Sequence, residues 1–243
     1  MSSEKTMDTG GSPESKSSLH SNEDSIAAAS DPSLTEGLAL QLLKLAELPS
    51  AVFERLHKNA AVLNSRKVRL ALLTHPTTPR HISIPMLPHL FTFDLMQVAL
   101  QPAVAADIKV AAENALIHRL EKLSDGEKLS LARRASGPVA AKLLTDSEAR
   151  VIRVALDNAR LTEASVVKTI AMQDASRDFI NAVCHHPMWS LRVEIRMALL
   201  RNRHTPEDKA REFANDLRSE RLQIVLQDSE LPEDIKSRLL QVG

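Results

Sequence analysis

Val68-Arg69-Leu70-Ala71-Leu72-Leu73-Thr74-His75-Pro76-Thr77-Thr78-Pro79 and Ile195-Arg196-Met197-Ala198-Leu199-Leu200-Arg201-Asn202-Arg203-His204-Thr205-Pro206 are one motif written twice, 127 residues apart. Each copy is an apolar run at helical spacing, then a polar turn, then Thr-Pro. Proline at the start of a helix loses nothing, because its missing N–H had no helical partner. The register continues without a gap, so that 68–116 falls on 195–243. Leu90 meets Leu217, Leu95 meets Leu222, Val98 meets Val225, and Asp107-Ile108-Lys109 meets Asp234-Ile235-Lys236. Upstream, Val52-Phe53 and Leu56 meet Phe179-Ile180 and Val183, keeping apolar character without identity. An internal duplication, 52–116 on 179–243, is the expectation, and Leu72 and Leu199 become equivalent core positions.

Working outward, the body from residue 34 onward reads as helix throughout. Leu38, Leu42, Leu43 and Leu45 recur at three- and four-residue spacing, and no window alternates β-branched residues. Pro49, Pro79, Pro138, Pro206 and Pro232 mark helix starts, and Asp31-Pro32-Ser33 reads as the N-cap of the first helix. The helices between these marks are about 8–14 residues, the length used in helical hairpin repeats. On a wheel of 191–201, Val193, Met197 and Leu200 fall on one side, with Leu191, Ile195 and Ala198 opposite. A helix apolar on two sides is sandwiched between neighbours, as inner members of an α-solenoid are.

A third copy lies between the two. Leu143-Leu144-Thr145-Asp146-Ser147-Glu148-Ala149-Arg150-Val151-Ile152-Arg153-Val154-Ala155-Leu156 resembles a HEAT repeat, with an Asp in the inter-helix turn followed by Val-Arg and Ala-Leu in the second helix. The stretches 67–73 and 194–200 match the second half of that pattern, and the chain is similar to bacterial HEAT-like and leucine-rich-variant helical proteins over most of 38–243. The resemblance implies an all-α solenoid of short hairpins and says almost nothing of activity. It also implies that Arg69, Arg153 and Arg196 share one repeat position and bridge adjacent repeats.

Composition narrows the function. The chain has 243 residues, with 31 basic and 31 acidic side chains and a pI near 7.1. That balance argues against a dedicated nucleic-acid binder. Six glycines, none clustered in the body, leave no phosphate-cradling loop. One cysteine, Cys184, excludes an internal disulfide and any multi-Cys metal site. No apolar run is long enough to cross a membrane, so a cytoplasmic protein is expected. Residues 1–33 hold ten Ser and a net charge of −4. That segment reads as a disordered acidic tail ahead of a helical domain over 34–243.

No catalytic constellation emerges. There is no HExxH pattern, and Cys184 and His185 are adjacent on a helix and so do not face each other. His75 and the His185-His186 pair sit in repeat turns, where an imidazole can cap a carbonyl. Trp189 aligns with Val62, an apolar position, and reads as core. Arg192, Arg196 and Arg203 fall within about 40° of one another if their helix continues, which makes them the candidate partner-binding strip. The expectation is therefore a non-catalytic helical-repeat scaffold. It has no catalytic, metal or cofactor residues and no small-molecule substrate, and it binds another protein through its curved surface. The alternative, a HEAT-like nucleic-acid-binding protein or DNA glycosylase, is disfavoured by the 2% aromatic content and the neutral pI.

Overall fold

A computed structural model describes residues 23–242. The described chain is all helical, and no described residue lies in a strand. The elements are α1 (residues 23–30), α2 (Glu36–Leu42), α3 (Ser50–Lys58), α4 (Ala60–Leu63), α5 (Arg66–Thr74), α6 (Arg80–Met86), α7 (Thr92–Leu100), α8 (Ala106–Ile117) and α9 (Asp125–Arg134). They continue with α10 (Gly137–Leu143), α11 (Ala149–Leu156), α12 (Glu163–Ile170), α13 (Arg177–His185), α14 (Val193–Arg201), α15 (Glu207–Asn215), α16 (Ser219–Gln227) and α17 (Glu233–Val242). A short 3₁₀ turn, Trp189–Leu191, leads into α14. The five prolines expected at helix starts are there. Pro49, Pro79 and Pro206 are N-caps, Pro138 is in the first turn of α10, and Pro232 immediately precedes α17.

The described part of the expected tail corrects the boundary at residue 33. Residues 23–30 are helical and Ala29 is fully buried. Asp31 does not cap α2. Its carboxylate accepts the Ser33 N–H at 2.7 Å, and Thr35 caps α2 through the Leu38 N–H. Residues 1–22 lie outside the described residues.

The duplication reaches further than apolar matching suggested. Helices α2 and α12 begin at Glu36 and Glu163, α3 and α13 at Ser50 and Arg177, and α5 and α14 at Arg66 and Val193. Helices α6 and α15 begin at Arg80 and Glu207, α7 and α16 at Thr92 and Ser219, and α8 and α17 at Ala106 and Glu233. Every pair is 127 residues apart. The buried bonds repeat at the same offset: Thr78 Oγ1 donates to the Leu72 carbonyl at 2.5 Å, and Thr205 Oγ1 to the Leu199 carbonyl at 2.6 Å. Leu72 and Leu199 are both fully buried.

The described chain forms two units, residues up to Leu90 with Gln101–Lys109, and Phe91–Leu100 with Val110 onward. In the first, α2 packs on α5, α3 on α6, and α5 on α6. In the second, α9 packs on α11 and α11 on α13, while α10 packs on α12, α12 on α14 and α14 on α16. In the second unit helices two apart are therefore neighbours, in two rows; in the first, where the one-turn α4 intervenes, the pairs α2–α5 and α3–α6 are three apart. This arrangement overturns the equivalence of Arg153 with Arg69 and Arg196. Helix α11, which carries Arg153, belongs to the row of α9 and α13, whereas α14 belongs to the row of α10, α12 and α16. Arg153 is exposed, its Nε 3.3 Å from the Ala149 carbonyl of its own helix. Asp146, the turn carboxylate of that stretch, pairs with Lys128 at 2.9 Å, with both side chains largely buried, and accepts the Glu148 N–H.

What joins neighbours within a row is a side chain just past a helix end. Asn158 donates through Nδ2 to the carbonyls of Ala132 (2.7 Å) and Ala135 (3.2 Å) at the end of α9. Its Oδ1 accepts the Arg160 N–H at 2.8 Å. Asn202 donates to the Ile170 carbonyl at the end of α12 and accepts the His204 N–H. Ser229 donates to the Leu200 carbonyl at 2.6 Å and accepts the Leu231 N–H. Asn59 donates to the Asp31 carbonyl at 2.9 Å and accepts the Ala61 N–H. His75 accepts the Thr77 N–H on Nδ1, which puts its proton on Nε2, 2.8 Å from the Leu45 carbonyl. His186 does the same with the Met188 N–H and the Asp157 carboxylate. Each clamp holds its own turn and reaches back to the end of a helix two elements upstream, or three for His75, where the one-turn α4 intervenes. Gly137 marks how close these turns come: a Cβ there would lie 2.5 Å from the Arg160 carbonyl oxygen.

The clamps obey the duplication but exchange residue type. Asn59 corresponds to His186 and His75 to Asn202, each pair 127 residues apart. Both Asn and neutral His offer one acceptor and one donor, which is all the position requires. His75 is 8% exposed and its ring lies 5.0 Å from that of Phe53. His75→Ala leaves the Leu45 carbonyl and the Thr77 N–H without their partner and is expected to cost about 1–3 kcal/mol. His75→Asn restores both bonds and is expected to cost less than half as much. Urea denaturation of the two variants checks this, and equal losses would contradict the clamp.

Candidate functional site

Arg192, Arg196 and Arg203 do not share a helix face. Helix α14 ends at Arg201 because Asn202 turns its side chain to the Ile170 carbonyl and takes up an extended backbone. Arg192 is the residue preceding the helix and Arg203 lies in the turn beyond it. The wheel that aligned the three required an unbroken helix.

Each guanidinium is engaged within the chain. Arg192 Nη1 pairs with Glu163 Oε2 at 3.2 Å, and its guanidinium carbon lies 6.0 Å from the Trp189 ring centre. Arg196 is the most enclosed, with a side chain 14% exposed. Its Nε donates to the Ser190 carbonyl at 2.6 Å, Nη1 pairs with Asp216, and the group stacks 5.4 Å over Phe213. Arg203 Nη2 donates to the Gln173 carbonyl at 3.1 Å. Arg192 ties the α13–α14 segment to α12, Arg196 ties α14 to the 3₁₀ turn and the end of α15, and Arg203 ties the turn after α14 to the turn after α12. All three are braces between neighbouring elements. Bidentate reach and planarity suit arginine to this use as much as to ligand capture.

Trp189 is core, as its alignment with Val62 suggested. It is 3% exposed, and its indole N–H donates to the Leu156 carbonyl at 2.8 Å. Cys184 is buried too, and burial pushes its thiol up to about 12, so it stays protonated near neutral pH. Among the described residues no group of three or more His, Cys, Asp and Glu is placed to hold a metal ion, and no helix is long and apolar enough to cross a membrane.

Exposed apolar side chains gather at and around α14. Met188 is 44% exposed, Leu191 67%, Val193 50% and Ile224 60%, and Met172 is also exposed. These side chains lie on α14 or α16, or on the segments that leave α12 and enter α14. In the second unit the helices α9, α11, α13 and α15 carry none, whereas α17, which packs on α15, carries Leu240 at 48%. A cleft of about 260 Å³ lies on the same row, floored by Ile170, Ala171 and Ala198 and rimmed by Met172, Arg201 and Asp228. The sequence wheel placed Leu191 and Val193 on opposite faces and buried both. The signal against burial was present in the duplication, since the first copy carries Asn64 and Arg66 at the equivalent places and Ala61 at that of Met188. Side chains that a repeat needs for packing do not alternate with Asn and Arg.

Comparison of the chain with protein-family models, with curated proteins and with solved structures finds no match in any of the three.

The brace role makes a stability statement. Arg196→Ala removes a mostly buried guanidinium, leaving the Ser190 carbonyl without its donor and Asp216 without its cation. It is expected to cost about 2 kcal/mol. Arg192→Ala, removing a half-exposed pair, is expected to cost less than about 1 kcal/mol. Chemical denaturation of both variants checks the order, and a neutral Arg196→Ala would return that residue to the list of free surface cations.

Proposed function

We propose that this protein is a non-catalytic helical-repeat scaffold that binds another protein through the row formed by α12, α14 and α16. In this reading the hairpins of the second unit stack as a short solenoid. The clamps that join alternate helices support the stacking, because each holds its neighbour at the same turn. Solenoids bury a core between repeats and leave one row of helices as a continuous binding surface. Such surfaces use scattered apolar anchors within a polar rim, and a few anchors carry most of the affinity.

The observation that carries the proposal is the cluster of exposed apolar side chains at and around α14, led by Leu191 and Val193. The neighbouring braces fit this role: Arg192, Glu163 and Arg196 fix the backbone that presents these residues and so reduce the ordering cost of binding.

Site-specific photo-crosslinking in the native cell tests the reading. A crosslinker at Val193 is expected to trap a defined protein, and the same group at Arg153 or Asn181, on the other row, is not. Adding Leu191→Asp is expected to abolish the Val193 adduct. Equal trapping from both rows, or an adduct indifferent to Leu191→Asp, would overturn the choice of face.

A further inference from the structure

The outward side of α16, the last helix of the proposed binding row, carries a pattern that helix packing does not use. Arg221, Ile224 and Asp228 follow one another at three and four residues, which puts Arg221 and Ile224 on one stripe of the helix and Asp228, its C-cap, at the end of that stripe. All three are exposed, Ile224 at 60%, while Leu222, Val225 and Leu226 face inward and are buried. Gln223 and Gln227, beside the stripe, are exposed and uncharged. Arg221 has only a loose intrachain pair, 3.5 Å to an exposed Glu194.

The stripe is complementary to itself. When α16 lies antiparallel to a second α16 about a two-fold axis near Ile224, Ile224 meets its own copy at the centre. Arg221 then faces Asp228 at both ends, and Glu220 faces Gln227 rather than another acid. An isologous contact requires this: each residue on one side must find its partner on the same patch of the other. A parallel pairing would set Arg221 against Arg221. The first copy of the duplication serves as an internal control. Its equivalent helix, α7, has Asp94, Gln97 and Gln101 at the three places, and Asp94 is buried. The repeat fold therefore does not require Arg, Ile and Asp there.

We infer that α16 is a self-association surface through which a second copy of this chain docks antiparallel, with Ile224 at the centre and two Arg221–Asp228 pairs flanking it. One helix pair buries an area in the small class of interfaces, below about 1,200 Å², so the dimer is weak and concentration-dependent. Helix α16 belongs to the row proposed above to bind another protein, but Leu191 and Val193 take no part in this contact, so Leu191→Asp is expected to leave self-association unchanged and the two readings fail separately.

Sedimentation equilibrium of the full chain tests it, with circular dichroism confirming unchanged helicity in every variant. The wild type is expected to pass from the 26.8 kDa monomer toward twice that mass as concentration rises to about 100 µM, the range in which weak contacts of this size assemble. Ile224→Glu is expected to weaken association at least about tenfold, by placing two like charges at the axis. Arg221→Asp is expected to weaken it similarly, and Arg221→Asp combined with Asp228→Arg to restore it, because the swapped charges still face each other. A wild type that stays monomeric, a dimer unmoved by Ile224→Glu, or a double variant no better than Arg221→Asp would each overturn the inference.

Discussion

A helix that ends inside a stack leaves up to four carbonyls without an intrahelical partner, and in a buried position each must be satisfied. At six of its turns this chain meets that constraint with a single side chain. Asn59, His75, Asn158, His186, Asn202 and Ser229 each accept an N–H two residues ahead and donate back about 30 residues. Five of these donations land on carbonyls at or near an upstream helix end, and that of His186 on the Asp157 carboxylate. One end of the clamp sets the turn, and the other sets the register against the end of an earlier helix. Two tasks on one residue explain why the chain manages with three glycines between residues 34 and 242 and helices mostly of seven to ten residues. The helices themselves are too short to be stable alone, so the tertiary bonds at their ends matter more than helix propensity.

The duplication shows which features that constraint fixes. Helix starts, the Thr78/Thr205 bonds and the presence of a clamp are shared between the copies. The clamp's identity is not, because Asn and neutral His present the same donor and acceptor. One clamp of the second copy has no counterpart in the first: where the second copy has Ser229, the first has Pro102, which has neither hydroxyl nor amide hydrogen. The division between the two units falls beside it, after Leu100. Surface residues have drifted most freely, and Leu191, Val193 and Ile224 have no apolar equivalents in the first copy.

The all-helical class, the proline-marked helix starts and the equivalence of Leu72 with Leu199 were legible in the sequence, because they rest on local periodicity and on a repeat that conserves core volume. The shared helix face expected of Arg192, Arg196 and Arg203 fails for a specific reason. A wheel continues a helix until something stops it, and the stop at Asn202 is a bond to Ile170, 32 residues away. Arg153 was misplaced because the Val/Ile-Arg-x-Ala-Leu pattern serves helices of either row, and a five-residue motif does not record which. The tail boundary moved upstream because Ala29 is too small to announce itself as core, yet it packs beside the carbonyls that Asn59 binds. The histidines in turns were recognised as possible caps. That they share a position with asparagine emerges only when the two copies are laid over their hydrogen bonds.

Amide hydrogen exchange tests the clamp most directly. The N–H groups of Thr77, Arg160, His204 and Leu231 lie in turns, outside every helix, and in an open turn they would exchange at nearly the rate of an unstructured chain. The clamp account predicts protection comparable to that of the adjoining helices, with Arg160 losing it selectively in Asn158→Ala. Exchange of these four amides at open-chain rates in the wild type would contradict it.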